Sequence, residues 1–540
     1  MSFECLPLEI LQAILDFLTF EELLVHSLVC RRWSQAAASL VSRRSWLVVH
    51  AQRARTIRVL QESQRNYTNV LIHQLNQGEP LESVLDVCSG KIRLRRLKID
   101  RAPVDTLYWF SQLYSSWLEH LEEVHISLDH RYLKQDTCSG KSYNIALPKL
   151  KALNWSENHL RRGNRTVTIK GPRLRKVSVN DSFGSKLNLI LPDCDTLDTV
   201  ECTLYRKNFS DIFKCSFTHL NTLILRIYNT VQSVEFLTHL KSLKRFSLSL
   251  EYEKELLPTL FVETVDTICK YKRLEALQLH VMNNESTLCC VSLSQLAESL
   301  ARLKKLELNN VCLKSTNKIL GFQQLTLLKL TNIVFKNDAD FLVLDYPKLQ
   351  NISVSVSLLP KLIIQANKAN DTLFVNLDST SFAKAVDLYL VQFLQRTDHI
   401  RRLVLFKTDC YDTCTDGNVP RATTLGVESL SLVNLNTSLE CVESVGKCSR
   451  LKHLYLSKCS LSIPKDSDRT LILDNLDTLD VFWVQLDDRT RKLFPIVRHP
   501  DQQIIGEEVY STLTVFNTIL RSTADFDPLG SIDLFPRSGV

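Results

Sequence analysis

The chain has 540 residues, with 66 Lys and Arg against 59 Asp and Glu, a formal net charge of +7 and a pI near 8.6. That balance is too mild for a protein whose main partner is nucleic acid, and a 44% hydrophobic content excludes wholesale disorder. Thirteen glycines and 15 prolines are too few for a turn-dominated or low-complexity chain, while about one residue in six is leucine.

Residues 6–37 read LPLEILQAILDFLTFEELLVHSLVCRRWSQAA. Pro7 suits a helix start, and Ile10, Leu11, Ile14, Leu15 and Leu18 follow at helical spacing. Thr19 with Glu22 three residues on predicts a capping box for a second helix. Val29-Cys30-Arg31-Arg32-Trp33 then opens a third. About forty residues cannot bury so many apolar groups unaided. A helical partner is the economical explanation, and a cap for the structure that follows is the alternative.

From Tyr67 onward the pattern L-x-x-L-x-L recurs, with other apolar residues allowed. Clear copies include Leu94/Leu97/Ile99, Leu150/Leu153/Trp155, Leu220/Leu223/Leu225, Leu303/Leu306/Leu308 and Leu451/Leu454/Leu456, ending at Leu476/Leu479/Val481. A degraded copy near Asn370/Leu373/Val375 fills the gap between Leu349 and Ile400. The mean step is about 25.6 residues, inside the range of leucine-rich repeats. Positions four and six of each copy face a core from a short strand, and positions three, five and seven face away. One copy cannot bury its apolar edge alone, so copies stack. Residues 104–117, 292–301 and 383–395 show helical spacing in the return segments. The expected fold is α/β: a three-helix N-terminal domain, then a solenoid of about 17 repeats, a horseshoe with a parallel sheet on its concave face.

The expected division is residues 1–44 for the helical domain and 45–66 for a linker or N-terminal cap. Repeats follow over 67–483, a C-terminal cap over 484–522 with an amphipathic helix at 507–522, and a flexible tail over 523–540.

The N-terminal segment resembles an F-box over roughly residues 3–42, on Leu6-Pro7-x-Glu9-Ile10, the Ile14/Leu15/Leu18 stripe and Val29-Cys30-x-x-Trp33. With repeats behind it, the chain is similar to the F-box/leucine-rich-repeat proteins. The resemblance implies docking on the Skp adaptor, which bridges to a cullin–RING ubiquitin ligase, while the repeats present a protein substrate. It carries Leu6, Pro7, Ile10, Ile14, Leu15, Leu18, Leu28, Val29, Cys30 and Trp33 over as adaptor-contacting or motif-core positions. The alternative is a repeat scaffold that does not direct degradation.

For a substrate, the outward positions of the last repeats carry Arg402, Val404, Phe406, Val433, His453, Tyr455, Asp480 and Phe482, with Trp483 next. Exposed aromatics among charges make hot spots, so Arg402, Phe406, Tyr455, Phe482 and Trp483 are candidate contacts. Burial under a C-terminal cap is the other possibility. Earlier outward positions are polar, among them Arg96, Lys98, His125 and Asn154. The stretch 161–176 holds Arg161, Arg162, Arg165, Lys170, Arg173, Arg175 and Lys176 with no acid. It is either a grip for an anionic segment or a solvated loop. Lys or Arg also recurs at position two (Arg95, Lys151, Arg175, Lys244, Lys304, Arg401, Lys452), a row read as a solubility device.

Nothing points to catalysis by this chain. Gly140-Lys141-Ser142 lacks the first glycine of a phosphate loop, since Gln135 stands there. Cys410 and Cys414 have no second ligand pair for zinc, and no cofactor is expected. The 16 cysteines sit in apolar stretches, as small buried hydrophobes do. Glu4, Pro7 and Glu9 occupy the place of a signal peptide's basic and apolar regions, and no apolar run is long enough to span a membrane. The expected setting is cytoplasmic, nuclear or both.

Overall fold

The computed structural model describes residues 6–44, 46–50, 67–73, 92–102, 119–129, 142–158, 164–181, 186–191, 196–205, 217, 219–228, 235–240, 242–251, 257–282, 289–314, 321–337, 341–344, 346–365, 371–377, 380–397, 399–407, 425–457, 459–462, 476, 478–482, 485–486, 497–499 and 502–504. They divide into two units, one of Met1–Leu243 with Glu251–Glu253, the other of Lys244–Leu250 with Lys254–Val540.

The first unit opens with helices α1 (Leu8–Leu15), α2 (Phe20–His26) and α3 (Arg31–Arg44). Pro7 is the N-cap of α1, and its carbonyl accepts from Leu11 N at 3.1 Å. The capping box forms as the spacing predicts: Glu22 N donates to Thr19 Oγ1 at 3.3 Å, and Thr19 N to Glu22 Oε2 at 2.8 Å. The Cys30 carbonyl accepts from Ser34 N at 2.9 Å and starts α3. Leu11, Leu15, Leu23, Ala36, Ala37 and Leu40 make the domain's core, with Leu18, Trp33 and Val41 packed against it. Each large side chain buried there contributes about 1.5–3 kcal/mol. Helix α3 also packs on the strand Tyr67–His73.

Behind these helices the first unit stacks parallel strands Leu47–His50, Tyr67–His73, Ile92–Ala102, Glu123–Asp129, Ala152–Asn158, Lys176–Asp181, Thr199–Tyr205 and Thr222–Tyr228. The register is that of the sequence repeat. Leu97 pairs Val124, Val124 pairs Leu153, and the series runs on through Val177 and Val200 to Leu223. These fourth positions and the sixth (Ile99, Ile126, Trp155, Val179, Cys202, Leu225) are buried. One strand, Leu47–His50, precedes the first recognisable repeat: its Val-Val-His lacks the leading leucine pattern, so the segment 45–66 holds more sheet than its sequence signals.

The second unit repeats this arrangement from Arg245–Glu251 to Thr478–Phe482. Phe246 pairs Leu277, Leu277 pairs Leu306, and each later fourth position pairs the next, down to Leu454 with Leu479. The degraded copy is a regular strand, Thr372–Asn376, in register with both neighbours. Asparagines end several strands: Asn310, Asn332 and Asn434 take φ of 53°, 50° and 57°, a left-handed geometry that asparagine tolerates better than most residues.

In the return segments the helices expected at 292–301 and 383–395 form, and other returns are not helical. Helices Leu257–Ile268, Leu293–Ser299 and Leu439–Gly446 occur, and a π-turn Val386–Leu390 joins Phe382–Ala385 to Val391–Arg396. Elsewhere the return is a second, short parallel strand, as in Ser142–Ala146, Asn164–Lys170 and Lys186–Ile190. Step length limits the return without deciding it. Phe246 to Leu277 spans 31 residues and holds three helical turns, while the 24-residue step Leu153 to Val177 holds a strand and the equally long Leu430 to Leu454 holds the helix Leu439–Gly446. Thr166-Val167-Thr168-Ile169 is moreover a β-branched run. The expected helices at 104–117 and 507–522 and the tail 523–540 lie outside the described residues. No described helix is long and apolar enough to cross a membrane.

Candidate protein-interaction surfaces

The three-helix domain sorts its apolar residues by helical phase. Leu11 and Leu15, one turn apart, face inward. Ile10, Ile14 and Phe17, at i, i+4 and i+7, face solvent, and Phe17 is 91% exposed. Phe17 holds this position because its N–H donates to the Ile14 carbonyl at 3.3 Å, extending the helix by one tight turn. A second exposed group follows α2. Val25, Leu28 and Val29 are 65%, 85% and 61% exposed, on a turn where Leu28 N donates to Val25 O and Val29 N to His26 O. Leu8 and Leu24 are exposed as well.

Set against the expected contact residues, Pro7, Ile10, Ile14, Leu28, Val29 and Cys30 are open, and Leu6 is partly so. Leu15 falls on the motif-core side of that expectation, fully buried in the domain's own core. Leu18 and Trp33 are half-buried against that core, with the Trp33 ring 5.6 Å from His26. Phe17, Leu24 and Val25 escaped the sequence reading. The i, i+4, i+7 stripe from Ile10 to Phe17 was the signal for the first of them.

Strand alternation turns Arg402, Val404 and Phe406 away from the leucine core. Arg402 is exposed, with Asp371 Oδ2 3.9 Å from its Nε, and Tyr455 is half-buried. Phe406 is a correction: it is only 4% exposed. It packs with Phe374, Val404 and Val433, side chains of three neighbouring strands that shield one another at one strand spacing. Phe482 lies in the strand Thr478–Phe482, paired with Ser457, and Trp483 lies outside the described residues.

The basic row at position two is half of a mixed row. Glu122 sits between Arg95 and Lys151, with contacts of 3.0 and 2.9 Å, and Lys304 reaches Glu275 at 2.8 Å. Burial pushes the Glu122 carboxyl up, but the hydrogen bonds from Lys151 and Arg95 outweigh it and hold the group below the usual carboxylate range. The backbone sets the spacing. In most of the described repeats the N–H groups of positions two and three both donate to the position-two carbonyl of the repeat before, as Lys151 and Ala152 do to Glu122.

Among the described residues no three His, Cys, Asp or Glu side chains are grouped to hold a metal. Burial raises the Cys269, Cys448 and Cys459 thiols, and burial with the neighbouring Cys290 pushes Cys312 up to about 12. The thiolate is the nucleophile, so these four are held in their unreactive form. Gln135, Gly140, Lys141, Cys410 and Cys414 lie outside the described residues.

Residues 3–45 match the F-box-like family model, a span that ends with α3. An F-box-like domain therefore heads a leucine-rich-repeat sheet. Among solved structures, an internalin of Listeria monocytogenes is similar over 88% of this chain and 93% of its own, at 14% identity and a TM-score of 0.27. A leucine-rich-repeat protein of Leptospira interrogans covers 83% of this chain and 99% of its own, at 14% identity and a TM-score of 0.29. No curated protein sequence matches. The F-box-like domain and the repeats are both protein-interaction modules. The exposed apolar side chains of the first are concentrated in the stretch Leu8–Val29.

Proposed function

We propose that this chain is the substrate-recognition subunit of a Skp–cullin–F-box ubiquitin ligase. The F-box-like domain docks on the Skp adaptor, and the repeat sheet holds a protein substrate. The supporting observation is the division of labour within α1–α2. Leu11, Leu15 and Leu23 complete the domain's own core, while Ile10, Ile14, Phe17, Val25, Leu28 and Val29 stay in water. A domain of this size that leaves so much apolar surface exposed is built to be covered. In this role the chain supplies effective concentration by holding substrate near the activated ubiquitin, with no bond made or broken on its own side chains.

The test is capture of adaptor and cullin by the full chain, compared with Leu28→Asp/Val29→Asp and with a 45–540 truncation. The double variant changes only exposed positions, so its thermal unfolding should match wild type while adaptor capture is lost. Adaptor retained by the double variant or by the truncation would sink the docking assignment. Adaptor captured without cullin would instead make the chain a scaffold that does not direct degradation.

A further inference from the structure

In the first unit, the corners of three successive repeats enclose a cavity of about 420 Å³ lined by Lys151, Pro172, Arg173, Arg175 and Thr196. All five residues are exposed at its mouth. Lys151 and Arg175 both occupy position two of their repeats, each immediately before its strand, and those strands, Ala152–Asn158 and Lys176–Asp181, are paired about 4.8 Å apart in the sheet. Arg173 follows Pro172 in the turn closed by Leu174 N donating to Gly171 O at 3.0 Å. The Thr196 hydroxyl donates to the carbonyls of Pro172 (3.2 Å) and Leu174 (2.8 Å), which fixes the far wall.

The row to which these residues belong shows what is unusual about the place. Position two alternates in sign through Arg95, Glu122 and Lys151, through Lys244, Glu275 and Lys304, and through Asp371, Arg401, Glu428 and Lys452. Among the described residues, only Lys151 and Arg175 put like charges side by side, an arrangement that destabilises neighbouring strands. The two nearest acids of the row are committed elsewhere. Glu122 accepts from Arg95 and Lys151, and Asp198 accepts from Asn221 Nδ2 at 2.5 Å and the Thr199 hydroxyl at 3.0 Å. Arg173 and Arg175 are left without an acid partner among the described residues. No acid occurs from Asn158 to Asn180, and Lys149, Lys170 and Lys176 add to the positive field.

We infer that this cavity is a docking site for an acidic protein segment, with an Asp or Glu carboxylate of that segment seated between Arg173 and Arg175. The row itself supplies the model: Glu122 lies 3.0 and 2.9 Å from Arg95 and Lys151, and Glu275 lies 2.8 Å from Lys304, and a partner's carboxylate would serve Arg173 and Arg175 in the same way. Two guanidinium forks suit a carboxylate bidentately. Lys151, already shared with Glu122, adds field at the Thr196 side. The identity of the ligand as protein rests on the receptor role proposed above; the electrostatic argument for the cavity does not.

The experiment titrates full-length chain with a short fluorescent Asp/Glu-rich peptide, alongside its Asn/Gln counterpart, a phosphoserine peptide of neutral background and a single-stranded RNA. The acidic peptide should bind, weaken as salt rises, and lose about tenfold or more in Arg173→Ala/Arg175→Ala. Arg302→Ala, an exposed cation of the other unit, should bind as wild type. Unchanged binding by the double variant overturns the site. A loss confined to the phosphopeptide or to RNA overturns the carboxylate assignment. Adaptor capture is measured on the same preparations. Peptide binding without adaptor capture removes the receptor role and keeps the site, and adaptor capture without peptide binding removes the site alone.

Discussion

Arg44 Nη2 lies 2.8 Å from Asp16 Oδ1, tying the last residue of α3 to the end of α1 across 28 positions of sequence. The same guanidinium donates to the carbonyls of Asp16 and Leu18, acceptors that the end of α1 leaves without helical partners. Both side chains are partly exposed, so the ion pair by itself contributes little. The carbonyl contacts carry more. Arg44→Ala should therefore cost the F-box-like domain about 1–2 kcal/mol, and Asp16→Asn, which keeps those contacts, only a few tenths. Hydrogen exchange in α1 and α3 reads the difference. Equal effects from the two substitutions would place the stabilisation in the charge pair.

Acid should weaken the first unit in two stages. Burial lowers the His125 imidazole, Lys98 lowers it further, and Asp100 opposes them. As pH drops below about 6.5, the unfolded chain binds a proton that the folded chain refuses, so stability declines until the depressed folded value is passed. Glu122 acts lower down: its carboxyl is depressed in the folded state, so its contribution is complete above the unfolded value of about 4.3 and disappears as pH falls through the folded one. Urea midpoints measured across pH should lose the upper limb in His125→Asn and the lower limb in Glu122→Gln. An unchanged profile in either variant removes that group from the account.

The repeat register was legible because it is a period. An apolar residue (Leu, Val, Ile or Phe) at position four recurs through both units and pairs with its counterparts even at the degraded Leu373. Helix phase was legible for the same reason, and the capping box because its chemistry is local. What escaped depends on neighbours distant in sequence. Leu15 and Ile14 look alike in the chain, and only the packing of α3 against α1 sends one inward and leaves the other in water. Phe406 points away from the leucine core yet is hidden by Phe374 and Val433, some thirty residues away on either side. The position-two row was read for one sign alone, so Glu122, Glu275 and Glu428 went unnoticed between its cations. The second strands at Ser142–Ala146 and Lys186–Ile190 alternate over only five residues, Tyr143 and Ile145 facing inward in the first, a signal easily passed over beside the long repeat.

Trp155 is the largest fully buried side chain among those described, at position six of its repeat. Trp155→Ala should cost about 3–5 kcal/mol through the cavity it leaves. Because each repeat contacts only its neighbours, the damage should stay local. Hydrogen exchange should accelerate in the paired strands Glu123–Asp129 and Lys176–Asp181, and far less in Thr222–Tyr228, three strands away. Uniform acceleration through the unit would mean that it unfolds as one cooperative body.

Asn434 combines two roles that substitutions can separate. Its φ of 57° is left-handed, and its Nδ2 donates to the Lys407 carbonyl of the preceding repeat at 3.0 Å while its own N–H reaches Ser457 O at 2.8 Å. Asn310 does the same five repeats earlier, through Val281 O and Thr331 O. Asn434→Gly keeps the backbone geometry and loses one side-chain hydrogen bond, about 0.5–1.5 kcal/mol. Asn434→Ala loses the bond and adds a left-handed penalty of about 1–2 kcal/mol. Denaturation midpoints should therefore fall in the order wild type, Gly, Ala, with exchange rising in the strand Ser429–Val433. If Gly and Ala are equally destabilised, the backbone conformation contributes nothing, and the asparagine is there for its amide alone.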